Sequence, residues 1–91
     1  MTKQEIKDWI IKSGYQDKNM TIKCSFEWRN IDGEWQDRSS ETFEYMVEND
    51  LFSDEYGEWF DFAGLVERLL YYKDNQDHRN FKLEILEAKN D

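Results

Sequence analysis

Proline is missing altogether from these 91 residues, which hold one cysteine, one histidine and only four glycines. The lone Cys24 excludes an internal disulfide. One Cys and one His cannot supply the four ligands of a structural zinc site, so no metal centre is expected. The glycines, at 14, 33, 57 and 64, are scattered, which leaves no phosphate-cradling loop. No Gly/Ser or Pro-rich linker and no internal repeat divides the chain, so one domain over 1–91 is expected. There is no apolar run near 18 residues and no cationic-then-apolar leader, which predicts a cytoplasmic protein without a membrane span.

The longest gap concerns bases. From Ser39 to Glu67, a stretch of 29 residues, there is no Lys, Arg or His, while nine acids fall there: Glu41, Glu44, Glu48, Asp50, Asp54, Glu55, Glu58, Asp61 and Glu67. The 38 residues before it carry seven acids and seven bases, and the 24 after it carry five of each, so the whole net charge of −9 comes from this one block. A sequence pI near 4.5 disfavours DNA, RNA and anionic membranes as direct ligands, because they are gripped by Lys and Arg.

What is plentiful is aromatic residues. A mean hydropathy of −1.01 hints at disorder, but 16% aromatics argue for a packed core, since disordered chains have little to bury. Seven of these rings, Phe43, Tyr45, Phe52, Tyr56, Trp59, Phe60 and Phe62, lie inside the acidic block.

Thr2 with Glu5 three residues later makes a capping box, and Ile6, Trp9 and Ile10 follow on one face, predicting a helix over 3–13 closed by Gly14. Residues 20–29 alternate, with Met20, Ile22, Cys24, Phe26 and Trp28 on one face, which predicts a half-buried strand. Asp32-Gly33 turns the chain back into an antiparallel partner from about Glu34. Beyond it, 41–48 reads either as a short helix capped by Ser40 or as continued strand with Phe43, Tyr45 and Val47 inward; the helix is preferred. A long helix is placed at 54–73, capped by Ser53 or Asp54. Its apolar stripe is Tyr56, Trp59, Ala63, Val66 and Leu70, and its opposite face carries Asp54, Glu58 and Asp61. A polar loop holds His78, and Phe81, Leu83 and Ile85 alternate in a last strand over 80–87. The expected architecture is α+β: a small antiparallel sheet of about three strands, with two main helices packed on one face.

No catalytic residue emerges. His78 stands alone in a polar loop, and among so many acids chance carboxylate pairs are expected with nothing marking one as desolvated. The stretch 50–58 lacks the D-x-[DN]-x-[DN]-G order of a calcium loop. Neither an enzyme nor a cofactor is implied.

A basic protein partner is. Folding does not need concentrated like charge, which destabilises the compact state. The candidate contact set is Glu41, Glu44, Glu48, Asp50, Phe52, Asp54, Glu55, Glu58, Phe60 and Asp61, with Phe52 or Phe60 as apolar anchor inside a charged rim. The carboxylates of Asp54, Glu58 and Asp61 would repeat about every 5.4 Å along a helix. In size, acidity and this acid–aromatic mixture over Glu41–Asp61, the chain resembles small phage- or mobile-element-encoded inhibitors that mimic nucleic acid, the anti-CRISPR and anti-restriction proteins. The resemblance is one of charge pattern, without a shared motif. It implies occlusion of the nucleic-acid-binding surface of a nuclease or other DNA/RNA enzyme. Two further readings stay open, an immunity or antitoxin protein neutralising a toxin nuclease and a non-inhibitory adaptor; a homodimer is compatible with either.

Overall fold

The computed structural model describes residues 1–86. Helix α1 (Lys3–Lys12) starts as the capping box predicts: the Glu5 N–H donates to Thr2 Oγ1 at 3.1 Å, and the Thr2 N–H donates to the Glu5 carboxylate at 2.8 Å. Strand β1 (Met20–Arg29) has the predicted bounds. Strand β2 (Trp35–Met46) follows, then β3 (Leu51–Ser53), β4 (Trp59–Phe60), helix α2 (Phe62–Asp74) and β5 (His78–Leu86). The expected strand over 80–87 thus begins two residues earlier, and its last residue lies outside the described part.

The class is α+β, but the sheet has five strands where about three were expected. Their order is β4-β3-β2-β1-β5 and every neighbouring pair is antiparallel. Two corrections go with this, the first lengthening β2 and the second adding β3 and β4. Residues 41–46 continue β2, and no short helix forms at 41–48. In the register Ile22↔Phe43 and Met20↔Tyr45, Phe43 and Tyr45 enter the core, as a two-residue period requires, while Val47 is exposed in the turn that follows. The second correction is larger. The predicted helix over 54–73 loses its first two turns to the β3–β4 hairpin, and α2 begins only at Phe62.

Chemistry local to that hairpin decides the matter. Asp54 Oδ1 accepts the N–H groups of Tyr56 at 2.9 Å and Glu58 at 2.8 Å, a turn that a short acidic side chain makes as readily as it caps a helix. Gly57 sits at φ +87°, a conformation glycine adopts without strain. The helix cap is Asp61, neither Ser53 nor Asp54; its carboxylate accepts the Gly64 N–H at 2.7 Å. The buried face of α2 is accordingly Leu65, Val66 and Leu69.

Both helices cover one face of the sheet. Ile6 and Ile10 of α1 and Leu65, Val66 and Leu69 of α2 pack with Met20, Ile22, Cys24, Phe43, Tyr45 and Phe52 in one continuous core. Trp28, expected to finish the inward row of β1, is 40% exposed, beyond bulges that shift both registers of β1 near Phe26. His78 is not a solvated loop histidine. It opens β5, stacks on Phe26 at 4.1 Å between centroids, and its Nδ1 lies 2.8 Å from the Tyr72 carbonyl oxygen. No helix among the described residues is long and apolar enough to cross a membrane.

Candidate functional site

The charge block of the sequence becomes one side of the sheet. Acids 41–58 belong to β2 and to the two turns that join β2, β3 and β4, while the opposite side, β1 with β5, carries Lys23, Arg29, Arg79 and Lys82 interspersed with Glu27 and Glu84. The acidic row is not helical: Asp54, Glu58 and Asp61 occupy a turn, the end of that turn and a helix cap. The spacing argument from one helical turn therefore does not apply.

Several of the acids have structural work. Asp50, at φ +53°, accepts the Tyr45 hydroxyl at 2.7 Å and so closes the β2–β3 turn. That bond, after burial, pushes the Tyr45 phenol upward in pKa. Glu58 pairs with Arg68 at 3.2 Å and Glu67 with Lys3 at 2.7 Å. Among the described residues these are the only two of the nine acids within ion-pair distance of a cation. Arg68, the first base after the gap, also lies over the Phe60 ring at 5.1 Å.

Among the described residues, the acids left exposed without an ion pair or a capping or turn-closing bond are fewer than the predicted set. Glu44, Glu48 and Glu55 are exposed; Glu55 accepts the Thr42 hydroxyl at 2.7 Å, and Glu44 lies opposite Ser53 in the β2–β3 register. Glu41 is different. It pairs with Cys24 in the β1–β2 register and is half-buried on the face that the helices cover. Desolvation raises its carboxyl pKa, Glu55 and Asp54 raise it further, and Arg68 opposes them. A raised acid favours its neutral form, so its contribution is most favourable below the ordinary value of 4.5 and is lost as pH climbs through the folded value. At neutral pH the Glu41 charge thus costs stability. Glu41→Gln is expected to raise the melting temperature at about pH 7 by a few degrees, with the gain fading under acid. Equal melting at both pH values would show that the charge is not crowded.

Exposure of the rings is reversed from expectation. Phe52 is 0% exposed, tilted against Tyr45 at 4.5 Å and stacked on Tyr15 at 6.0 Å between centroids, and belongs to the core. Phe60 is half-buried against that core and meets Phe43 edge-on. Neither is a free anchor. Tyr56 and Trp59, assigned to the core from the helical period, are 78% and 54% exposed. They project from the β3–β4 hairpin, and Trp59 lies across from Ser53 on the sheet face opposite the helices. Gly57 was the available signal: a glycine interior to a helix costs about 1 kcal/mol, and Asp54 three residues before it is turn chemistry. Beside this hairpin, Phe60, Gly64, Glu67, Arg68 and Tyr71 line a shallow groove of about 520 Å³.

The candidate site therefore consists of the exposed Tyr56 and Trp59 on a hairpin that also carries Asp54, Glu55 and Glu58, with Glu44 opposite Ser53 in β2 and Glu48 in the β2–β3 turn. No group of His, Cys, Asp and Glu among the described residues is arranged to hold a metal ion. No family model, curated protein or solved structure matches the chain.

Proposed function

We propose that this chain is an inhibitor that docks the acidic β2–β3–β4 side of its sheet onto the basic nucleic-acid-binding surface of a nuclease or other DNA/RNA-processing enzyme in the cytoplasm. The observation that carries this reading is two large exposed rings, Tyr56 and Trp59, set in the one part of the molecule where acids go almost without cations. Aromatic residues inside a charged rim are the usual anatomy of a protein interface. The carboxylates would pair with the Lys and Arg that otherwise grip phosphates, and the rings would supply the desolvated centre. Binding then excludes nucleic acid without any chemistry by the inhibitor, and no cofactor takes part. Association steered by such a field is fast and weakens with salt.

The test compares the native protein with Glu44→Gln/Glu48→Gln/Glu55→Gln, three exposed acids that neither cap a helix nor close a turn, and with Trp59→Ala. Each is used to capture partners from host lysate, and the captured enzyme is then assayed for competition with its DNA or RNA. The expected result is a nucleic-acid enzyme held by the native protein, with affinity lower by about tenfold or more in each variant. An enzyme inhibited equally by all three proteins, or a capture in which no nucleic-acid enzyme appears, sinks the proposal. A captured toxin nuclease encoded beside this chain would assign the same surface to immunity.

A further inference from the structure

The sheet has two open sides, and they are built differently. On one, β4 is two residues long, with Glu58 before it and Asp61 after it. Its brevity and acidity both discourage strand addition. On the other, β5 runs nine residues, pairs with β1 alone, and has no strand beyond it among the described residues. Proline is absent from it, and its inward row, Phe81, Leu83 and Ile85, is only partly covered by the helices. Its outward row carries Arg79, held by Glu27 of β1 at 2.9 Å, and then one charge of each sign, Lys82 and Glu84.

We infer that β5 is a dimer interface, in which it pairs antiparallel with β5 of a second copy about a two-fold axis through Leu83. Antiparallel self-pairing keeps residue parity, because each pair must face the same side of the sheet. Of the registers centred on this strand, pairing Lys82 with itself or Glu84 with itself sets like charges directly opposite. The register centred on Leu83 places Lys82 opposite Glu84 of the other copy, twice by symmetry. It also sets Phe81 against Ile85 twice and Leu83 against Leu83, extending the apolar face the helices cover.

Several features fit this occupant. Lys82 makes no ion pair among the described residues, whereas Glu84 has only a loose one to Lys23 at 3.5 Å. A guard of mixed sign, which repels other edges poorly, becomes complementary to itself. Repulsion between two chains of net charge −9 is also least in this arrangement. The acidic sides lie at opposite ends of a ten-stranded sheet, whose outermost strands are about 43 Å apart at about 4.8 Å per strand, beyond the screening length of physiological salt.

Sedimentation velocity on the full chain from about 10 to 500 µM tests the inference, with circular dichroism verifying that each variant is folded. The native protein is expected to show a weak monomer–dimer equilibrium, since strand pairing alone buries a small area. Lys82→Glu is expected to loosen the dimer by about tenfold to a hundredfold, because it turns both attractive pairs repulsive. The swap Lys82→Glu/Glu84→Lys is expected to restore it, and Glu44→Gln/Glu48→Gln/Glu55→Gln to leave it unchanged. A monomer throughout overturns the inference, as does a dimer indifferent to Lys82→Glu or a folded swap variant that stays monomeric. A dimer altered by the three glutamines places the contact on the acidic side and overturns it too. Neither result touches the partner proposal, which is read from captured enzyme.

Discussion

Phe52→Ala is expected to destabilise the fold by about 3–5 kcal/mol, the usual cost of truncating a fully enclosed phenylalanine. The ring closes the core between Tyr45 and Tyr15, with β3 supplying its backbone. A three-residue strand has few hydrogen bonds of its own, so its attachment to β2 rests largely on this side chain. The cavity would also loosen the hairpin that presents Tyr56 and Trp59. Against a total stability of about 5–15 kcal/mol for a domain, the loss is large enough to leave a measurable unfolded population. Urea denaturation checks it, with the midpoint falling steeply and the slope unchanged. A loss below about 1 kcal/mol would contradict the burial and return Phe52 to the surface role its neighbours Asp50 and Asp54 first suggested.

A comparable effect is expected from alkali. Cys24 is fully enclosed in β1, and burial pushes its thiol from the ordinary 9.0 up to about 12, with the neighbouring Glu41 charge adding to the shift. Between those values the unfolded chain has released a proton that the folded chain still holds. Stability therefore declines as pH rises, at about 1.4 kcal/mol per pH unit and roughly 4 kcal/mol in all. Below the ordinary value the contribution is constant. Tyr45, raised chiefly by burial and then by Asp50, and Tyr15 and Tyr72, raised chiefly by burial, act in the same direction above 10.0. Urea midpoints measured from about pH 8 to 11 should fall continuously in the native protein. Cys24→Ala should start lower but fall less steeply between about pH 9 and 10, before the tyrosines titrate. Parallel curves would mean that the thiol is not what the alkali reaches.

Glu41 illustrates what the acidic side gives up in stability. Its carboxylate is partly desolvated near two others, an arrangement that costs stability at neutral pH.

How much of this was legible depended on how local the deciding interactions were. The capping box of α1 and the alternation of β1 are written in neighbouring residues, and both elements sit where the sequence predicts. The charge block was equally legible, because a count along the chain needs no geometry. Residues 41–61 were not. Tyr56, Trp59, Ala63, Val66 and Leu70 have perfect helical spacing, yet three of the five face solvent. Apolar periodicity records which side chains could share a face, not whether a core lies opposite that face. The capping of Asp54 was equally ambiguous, since the same carboxylate–amide bonds start a helix or close a hairpin turn.

The sequence by itself determined the fold class, the first helix and strand, and the segregation of negative charge, all properties of composition or of residues within one turn or one strand. Only the tertiary structure decided which aromatics are exposed and which are core, and which acids among the described residues lack an ion pair. Those assignments depend on β2, β3 and β4 finding one another across turns, where Phe52 fills the space beneath Tyr45 and leaves Trp59 outside. A ring becomes buried when another strand brings atoms to cover it, and that pairing is set by the whole sheet.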